Sequence, residues 1–423
     1  MAATSPSAPQ APLDLRSPEF AADPLAVVER VRAAGGSARA LFLDTQEAVL
    51  FVDDEDVRTI LGDRRFVLDP AHVSGTEATV TRADAFREMG LRPDLVAYLT
   101  ESLLDKDGED HTRLRKLVSR TFTVRRVQTM RPQVQRITDG LIARLPDHAD
   151  GDGIVDLMPH FAYPLPIAVI CDLVGVPEED RATWRVWSDQ LAHFDPTRPG
   201  LMNDALGEMI DRIRTMIAER RTTASDDLLG ALVRARDEDG GRLSENELVT
   251  LVFTLIIAGH ETTAHLLGNG LHALLAHPEQ VAALRSDLAL LPSAVHEMLR
   301  HGGTAVLAKA RYAAEDVQLR CGRLRAGERA IAAIAGANRD PRVHPDPDRF
   351  DITRHRGRPG EAHVGFGHGI HYCLGAALAR QEGEVAVGSL LNAHPGLSLV
   401  PGREPRRETV PGALRTESLP VRL

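Results

Sequence analysis

The pattern of apolar and polar positions predicts a chain dominated by helices. The strongest pattern covers residues 244–277, where Ser244 and Glu247 form a capping-box sequence and Pro278 ends the pattern. This stretch of roughly 34 residues would make a helix ~50 Å long. Its centre, residues 251–258, is apolar almost all round. Such a helix is expected to cross the middle of the molecule.

Shorter patterns predict the other regular elements. Helical spacing covers residues 109–145 and 163–175, the second closed by Gly175 and Pro177, and a last helix begins near Leu374. Apolar alternation and short apolar runs predict strands at 38–52, 317–319 and 329–334, and a closing strand pair at 413–423. The predicted fold class is therefore mainly α with small β-sheets.

The remaining segments predict loops and a lead-in. Pro and Gly indicate a loop at residues 191–203, and residues 338–369 have the pattern of long irregular coil. Residues 1–20 are rich in Ala, Ser and Pro, which predicts a flexible lead-in. No composition change divides the rest, so residues 21–423 are expected to form a single domain.

Composition narrows the class of protein. A net charge of −10 and 4% aromatic residues argue against a protein that coats nucleic acid or an acidic membrane. No apolar run is long enough for a signal peptide or a membrane span. Three scattered cysteines, Cys171, Cys321 and Cys373, make no disulfide framework. A cytoplasmic protein is therefore expected.

The most specific chemical feature is the glycine-rich loop that ends at Cys373. Gly365, Gly367 and Gly369 permit tight turns and the close approach of a flat ligand. Cys373 precedes a predicted helix start, where backbone N–H groups stabilise an anionic sulfur. A phosphate cradle is disfavoured because no apolar strand leads into the glycines. The C-x-x-C-H sequence of a covalently attached haem is absent.

This loop resembles the haem-binding signature of the cytochrome P450 superfamily, F-G-x-G-x-H-x-C-x-G, with every fixed position filled from Phe366 to Gly375. The likeness extends from about residue 20 to the C-terminus and is greatest to the soluble, actinomycete-like bacterial members. It implies the P450 fold and haem b, with Cys373 as the iron ligand and Phe366, Gly367 and Gly375 beside the cofactor. A thiolate ligand favours O–O cleavage. The implied activity is insertion of one oxygen atom from O2 into a substrate.

The centre of the long helix carries a second motif, Ala258-Gly259-His260-Glu261-Thr262-Thr263. The Thr262 hydroxyl can bond back to the Ala258 carbonyl and loosen the helix. Gly259 removes a side chain where the helix would pass the iron, and Glu261 can move protons. The segment resembles the family's A-G-x-(D/E)-T-T oxygen-activation motif.

A zinc hydrolase is the rival interpretation of this motif, because His260-Glu261 opens like H-E-x-x-H. The next histidine is His265, one position too late. A spacing of five places the two rings roughly 140° apart around a helix, so they cannot bind one metal from one face.

Two charged groups complete the resemblance. Glu297 and Arg300 match the family's E-x-x-R, which the family joins to an Arg from a P-x-R-F segment, here Arg349. This network is expected to be structural. The haem propionates need cationic or donor partners. Matches to family motifs supply four candidates: His111, Arg115, Arg311 and His371.

A local basic patch predicts the electron donor. Residues 111–126 contain six Lys or Arg and no acid, namely Arg113, Arg115, Lys116, Arg120, Arg125 and Arg126. We expect the patch to dock an acidic ferredoxin or flavodoxin-type protein. A solvated helix face without a partner is the alternative.

The substrate is expected to be apolar, such as a polyketide, macrolide or terpenoid that undergoes hydroxylation or epoxidation. The segments expected to line its site are mostly small and aliphatic, with Phe194 one of few aromatics; they are residues 70–104, 187–204, 255–262 and 302–308. His301-Gly302-Gly303 replaces the aromatic and proline usual in the family, which would widen this side of the pocket.

Three other functions stay open at this point. A haem-thiolate sensor would bind a gas without turnover, but it needs no proton relay of the kind that Glu261 and Thr262 suggest. A peroxide-driven oxygenase generally lacks that acid–alcohol pair. An atypical oxidative-coupling enzyme would share the same fold and residues.

Overall fold

The computed structural model describes residues 11–42, 46–73, 81–192, 198–238, 243–357 and 360–423. Over these residues the chain is mainly helical, which confirms the predicted fold class. The helices are α1 Pro18–Ala22, α2 Pro24–Ala33, α3 Asp54–Gly62, α4 Arg82–Glu88, α5 Pro93–Thr100, α6 Gly108–Thr121, α7 Val124–Thr129, α8 Arg131–Arg144, α9 Pro164–Val174, α10 Arg181–Ala192, α11 Pro199–Thr222, α12 Leu228–Glu238, α13 Glu245–Leu275, α14 Pro278–Ser286, α15 Leu291–Gly302, α16 Ile334–Ala337 and α17 Ala376–Ala393.

The strands form small sheets. They are β1 Leu13–Asp14, β2 Ser37–Leu41, β3 Glu47–Phe51, β4 Phe66–Val67, β5 Ile154–Asp156, β6 Arg311–Ala313, β7 Val317–Leu319, β8 Gly322–Leu324, β9 Arg329–Ala332, β10 Ser398–Leu399, β11 Arg406–Glu408, β12 Arg415–Ser418 and β13 Pro420–Arg422. The largest sheet has the order β1-β2-β3-β9-β6-β4, in which β3 and β9 are parallel. The others are β10-β13-β5, β11-β12 and β7-β8.

Helix α13 is the centre of the molecule. The Ser244 hydroxyl accepts from the Glu247 N–H and the Glu247 carboxylate accepts from the Ser244 N–H, so the predicted capping box is present. The helix packs against α9, α15 and α17. Its length and composition would suit a membrane span, but 61% of its most apolar window is buried inside the protein. It is therefore a core helix, since its apolar faces already have protein neighbours.

The N-terminal segment departs from the predicted flexible lead-in over residues 1–20. Residues 13–14 form β1, which pairs in parallel with β2. Leu15 and Phe20 are each 1% exposed and join a core cluster with residues of α2 and β3. The lead-in prediction is wrong from Leu13 onward, because two apolar side chains anchor this segment. Residues 1–10 lie outside the described residues, and the single domain over 21–423 stays a prediction.

Three other boundaries differ from the sequence predictions. The helical stretch 109–145 is divided, because Thr123 caps a new helix and a further helix begins at Arg131, with Pro132 in its first turn. The loop predicted at 191–203 is wrong at its second half, since Pro199 sits in the first turn of α11. Strands β12 and β13 do form in 413–423, but they do not pair together. They join β11 and the β10-β5 sheet, respectively.

Candidate active site

The cysteine loop is built by two left-handed glycines. Gly367 has φ +75° and Gly369 has φ +71°, conformations that favour glycine. A Cβ on Gly369 would lie 2.5 Å from the Leu61 carbonyl oxygen, so only glycine lets the loop pack on the end of α3. The Cys373 N–H donates to the Phe366 carbonyl (2.9 Å), which closes the loop. Helix α17 starts three residues later, close to the predicted position.

The Cys373 thiol lies in a mostly apolar environment with a nearby positive charge. Burial raises its pKa, while the Gly375 N–H and the Arg115 charge act in the opposite direction. Arg115 donates to the carbonyl of Tyr372, the preceding residue (2.7 Å). The loop therefore presents one sulfur whose thiolate form has a backbone donor and a guanidinium to stabilise it.

The four predicted propionate partners include groups that crowd together beside this loop. The rings of His111 and His371 lie 4.4 Å apart between centroids. Burial, with the charges of His371 and Arg115, lowers the pKa of His111 to about 4. Burial lowers the pKa of Arg311 to about 10, although its guanidinium donates to the Ile60 and Leu61 carbonyls.

This cluster fits a ligand that carries carboxylates. The Nε2 atoms of His111 and His371 are buried and make no hydrogen bond among the described residues. The facing carboxylate, Asp107, lies 3.9 Å from His371 Nε2 and is engaged by the N–H groups of Leu68 and Asp69. Unused donors and mutually repelling cations are stabilised by anions. The residues present therefore fit the haem propionates.

On α13, the oxygen-motif residues divide between two directions. The Thr262 hydroxyl donates to the Ala258 carbonyl (2.8 Å), as predicted. Both residues are exposed in the largely buried central part of α13, one turn apart, so they open onto the same accessible space, which we call the cleft. Thr304 reaches the same place, because its hydroxyl donates to the Thr262 carbonyl (3.1 Å).

Gly259 lies at a helix contact that the sequence did not reveal. A Cβ there would lie 3.1 Å from Ile170 of α9, so the space that the glycine leaves is filled by a packing contact. Glycine at this position therefore lets α9 approach α13 closely.

The side chain of Glu261 points towards the two-stranded sheet β11-β12, called the C-terminal ribbon below. The sequence did not predict this contact. The Oε1 atom of Glu261 lies 2.6 Å from Nη2 of Arg415 in β12. His265 lies one turn along α13, with its Nε2 4.0 Å from the same oxygen and 3.1 Å from the Tyr163 hydroxyl. The acid is thus part of a polar network between α13, the ribbon and the segment that precedes α9.

The E-x-x-R pair of Glu297 and Arg300 is present. The third residue of the predicted charge network, however, is not Arg349. Arg300 forms a two-point bond to Glu297 at 2.7 Å, and both side chains are fully buried. Arg349 is exposed and contributes only its carbonyl. Arg354 donates to Glu297 (3.2 Å), and His355 contacts the other oxygen (3.2 Å). The chain turns after residue 350, so the later arginine faces inward.

Comparison with known proteins decides the family. Residues 190–411 match the family described as cytochrome P450. The chain is 43% identical, over 94% of its length and 90% of the relative, to cytochrome P450 monooxygenase PikC of Streptomyces venezuelae. The chain belongs to the cytochrome P450 family. It is a P450 monooxygenase, and members of this family bind haem b through a cysteine thiolate.

Other relatives agree with this assignment. The P450 is 39% identical to mycinamicin IV hydroxylase/epoxidase of Micromonospora griseorubida, with 84% of each chain covered. The solved structure of the tirandamycin C-bound P450 monooxygenase TamI superposes with a TM-score of 0.84 at 40% identity, and covers 97% of this chain and 100% of that one.

This P450 also has a histidine cluster behind the E-x-x-R pair that sequence reasoning missed. His296 and His363 share a ring-to-ring hydrogen bond (2.9 Å), and His355 packs within 5.7 Å of both rings. Nearby His344 is fully buried, and neither ring nitrogen has a hydrogen-bond partner among the described residues. Burial lowers the pKa of both His296 and His344 to about 4. No motif spacing connects these four positions.

The substrate segments are described only in part. Residues 74–80 and 193–197, which include Phe194, lie outside the described residues. The Gly302-Gly303 pair, which the sequence suggested would widen the pocket, has a packing role. A Cβ on Gly303 would lie 2.4 Å from the Leu299 carbonyl oxygen, and the Gly302 carbonyl accepts from Asn269 of α13 (2.9 Å).

Proposed function

We propose that this P450 hydroxylates or epoxidises a polyketide-type natural product, with Cys373 as the haem ligand and electrons from a separate ferredoxin. The observation that carries the site assignment is the junction of the cationic cluster with the cysteine loop. Arg115 bonds the backbone next to Cys373, and His371 belongs to the same loop. One flat cofactor with two carboxylates can satisfy the sulfur and these donors together.

In this proposal, each residue of the site has a separate task. His111, Arg115, Arg311 and His371 hold the propionates, and Phe366, Gly367 and Gly375 form the surface on which the ring lies. A haem bound here would supply the iron, electron and oxygen chemistry. Ala258 and Thr262 border the oxygen site, and Glu261 delivers protons there.

The polyketide class is supported by the relatives. Their names include 6-deoxyerythronolide B hydroxylase of Saccharopolyspora erythraea, 39% identical over 91% of this chain, and the mycinamicin IV enzyme. The proposal transfers the compound class and leaves the position of oxidation open. The same relatives support a cytosolic location, where a soluble donor can reach the protein.

Only some basic residues of the predicted docking patch are exposed and able to contact a donor protein. Arg113 pairs with Glu247, Arg115 points inward to Tyr372, and Arg126 bonds the Asp226 carbonyl. The exposed members are Lys116, Arg120 and Arg125, and Ile370 of the cysteine loop is 53% exposed. Lys116, Arg120 and Ile370 line one groove of about 800 Å³. A charged rim around an apolar side chain suits a small acidic partner.

A direct test uses substrate binding and turnover. The haem protein is titrated with 6-deoxyerythronolide B and mycinamicin IV, and the low-spin to high-spin shift of the haem band is recorded. The compound that gives the larger shift is then supplied with NADPH, ferredoxin and ferredoxin reductase. We expect one oxygenated product in mass spectrometry. A protein that shifts with neither compound contradicts the polyketide assignment, and binding without any product contradicts monooxygenation of that compound.

A further inference from the structure

One wall of the cleft consists of four residues with small side chains. Residues 302–305 have the sequence Gly-Gly-Thr-Ala and lead from the end of α15 towards β6. The Thr304 hydroxyl donates to the Thr262 carbonyl (3.1 Å), and Ala305 is exposed. Side chains this small add little bulk, so the position of the backbone sets how far the wall stands from α13.

The glycine pair in this wall does not hold its own conformation. Gly302 and Gly303 have no side chain, so the unfolded chain samples many backbone conformations here and folding must restrict them. Helix α15 ends at Gly302. The bonds that fix residues 302–305 therefore come from other segments. One is the Leu414 N–H, which donates to the Thr304 carbonyl (2.8 Å).

A single side chain of α13, that of Asn269, ties these segments together. Its amide nitrogen donates to the carbonyls of Gly302 (2.9 Å) and Leu414 (3.0 Å). Its amide oxygen accepts from the Thr416 hydroxyl of the C-terminal ribbon (2.6 Å). An asparagine amide has two N–H donors and one oxygen, so both donors and the oxygen are used. Because carbonyls only accept hydrogen bonds, the nitrogen must face them, which fixes the orientation of the amide.

Burial makes the three bonds of the amide hard to replace. Asn269 is 8% exposed and Thr416 is 1% exposed. Water has little access to this place, so the loss of the amide would leave two carbonyls and one hydroxyl without partners. The end of α15 also contacts the asparagine directly, since a Cβ on Gly302 would lie 3.3 Å from the Cβ of Asn269.

We propose that Asn269 is a positioning residue for substrate selectivity, which holds residues 302–305 and the C-terminal ribbon at a fixed distance from α13. The amide does not touch the substrate, because it acts through the backbone that forms the wall. A fixed wall favours apolar molecules that fill the space between residues 302–305 and Thr262. This inference rests on the proposed function, which places the oxygen site at the cleft.

The experiment compares two nitrogen ligands of haem iron that differ by one phenyl group. The haem protein is titrated with imidazole and with 4-phenylimidazole, and the red shift of the haem band gives each Kd. The ratio of the two Kd values reports how well the wall packs against the phenyl group. Asn269→Leu keeps the size of the side chain but removes all three bonds. We expect its preference for 4-phenylimidazole to fall by about tenfold, the effect that one methylene-sized apolar contact has on discrimination.

Two variants of Thr416 change the same network more gently. Thr416→Val removes the hydroxyl that bonds the amide oxygen, so the preference for 4-phenylimidazole should fall, but less than in Asn269→Leu. Thr416→Ser keeps a hydroxyl and should retain the wild-type ratio. This pair decides the question if Asn269→Leu does not retain haem.

A destabilised control separates positioning from a general loss of stability. Leu274→Ala removes a fully buried side chain from the same helix but none of the three amide bonds, so it should lower stability and keep the wild-type ratio. Three results would overturn the inference: an unchanged or increased preference for 4-phenylimidazole in Asn269→Leu, equal ratios in Thr416→Val and Thr416→Ser, or an equal fall in Leu274→Ala.

The same titrations distinguish this inference from the proposed function. If neither compound shifts the haem band of the wild-type protein, the proposed oxygen site at the cleft is wrong. If both compounds shift that band but the Asn269 and Thr416 variants keep the wild-type ratio, the proposed site stands and Asn269 has no positioning role.

Discussion

The two sides of the proposed haem site are held in different ways. On the thiolate side, residues 338–375 contain almost no regular secondary structure, yet His344, Phe350 and His363 are buried. Side chains such as Arg300 supply the bonds there, by donating to the carbonyls of Asn338 and Pro347 (2.9 and 2.8 Å). On the oxygen side, α13 satisfies its own backbone, and the Thr262 hydroxyl adds a local bond.

This difference predicts different responses to substitution. Irregular buried backbone depends on a few side chains, and losing one of these leaves several polar groups without partners. A helix keeps its hydrogen bonds when one side chain changes. Substitutions on the thiolate side should therefore reduce folding and haem retention, whereas substitutions on α13 should alter chemistry in a folded protein.

The largest effect is expected for Cys373→Ser. A serine hydroxyl is not a thiolate ligand, so the strongly red-shifted band of the reduced carbon-monoxide complex should disappear completely. The measurement is the difference spectrum between reduced purified protein with carbon monoxide and the same reduced protein without it. Cys321→Ser is the control and should keep the band. If the band survived in Cys373→Ser, the proposed ligand would be wrong.

The next effect compares two arginines of the same coil. Arg354→Ala should lower the free energy of unfolding by roughly 3 kcal/mol, because it removes one partner of the buried Glu297 carboxylate. Burial alone would raise the pKa of Glu297, but the bonds from Arg300 and His355 hold it well below its usual range. Arg349→Ala should cost less than about 0.5 kcal/mol, because that side chain is exposed. Urea unfolding measures both; equal losses would restore the sequence-based choice of Arg349.

On the oxygen side, Thr262→Ala should leave the protein folded but lower the product formed per NADPH by about tenfold. The substitution removes the hydroxyl that borders the proposed oxygen site, and proton transfer by positioned groups contributes at least that much to the rate. Thr263→Ala is the matched control. Its hydroxyl donates to the Gly259 carbonyl (3.1 Å) in the same local geometry, but it is buried away from the cleft. Similar yields from the two variants would contradict the proposed role of Thr262.

The smallest effect concerns pH and the histidine cluster. An unfolded His344 binds a proton near pH 6.5, but the buried residue does so only near pH 4. The unfolded state therefore binds more protons between these values, so stability is full above about pH 6.5 and falls as pH drops towards 4. The wild-type protein should lose free energy of unfolding between pH 7.5 and pH 5, and His344→Phe should make that loss smaller by ~1 kcal/mol. His72 is exposed, so the control variant His72→Gln should lose as much stability as the wild type. If the wild type, His344→Phe and His72→Gln all showed the same pH dependence, the prediction would be contradicted.

Local spacing predicted part of the site correctly. The capping box at Ser244, the Thr262 bond to Ala258 and the two-point Glu297–Arg300 bond all join residues three or four apart. Helix geometry alone brings such residues together. The tight turns of the Cys373 loop could also be predicted, because its left-handed glycines and its cysteine lie within one short segment.

Contacts between distant segments could not be predicted from residue spacing. The sequence placed Arg349 beside Glu297, yet the choice between Arg349 and Arg354 depends on how the coil turns. Arg415 follows Glu261 by more than a hundred residues and reaches it through a strand whose pairing was also mispredicted. The histidine cluster joins α15 to three points in the coil.

The sequence by itself determined the family, the central helix, the glycine-rich loop that ends at Cys373 and the local bond between Thr262 and Ala258, because each depends on short-range spacing and residue type. Only the tertiary structure decided which arginine completes the Glu297 network, why Gly259 is small, and which cation holds Glu261. Those outcomes depend on the direction of side chains from separate segments, and packing fixes that direction only after the chain has folded.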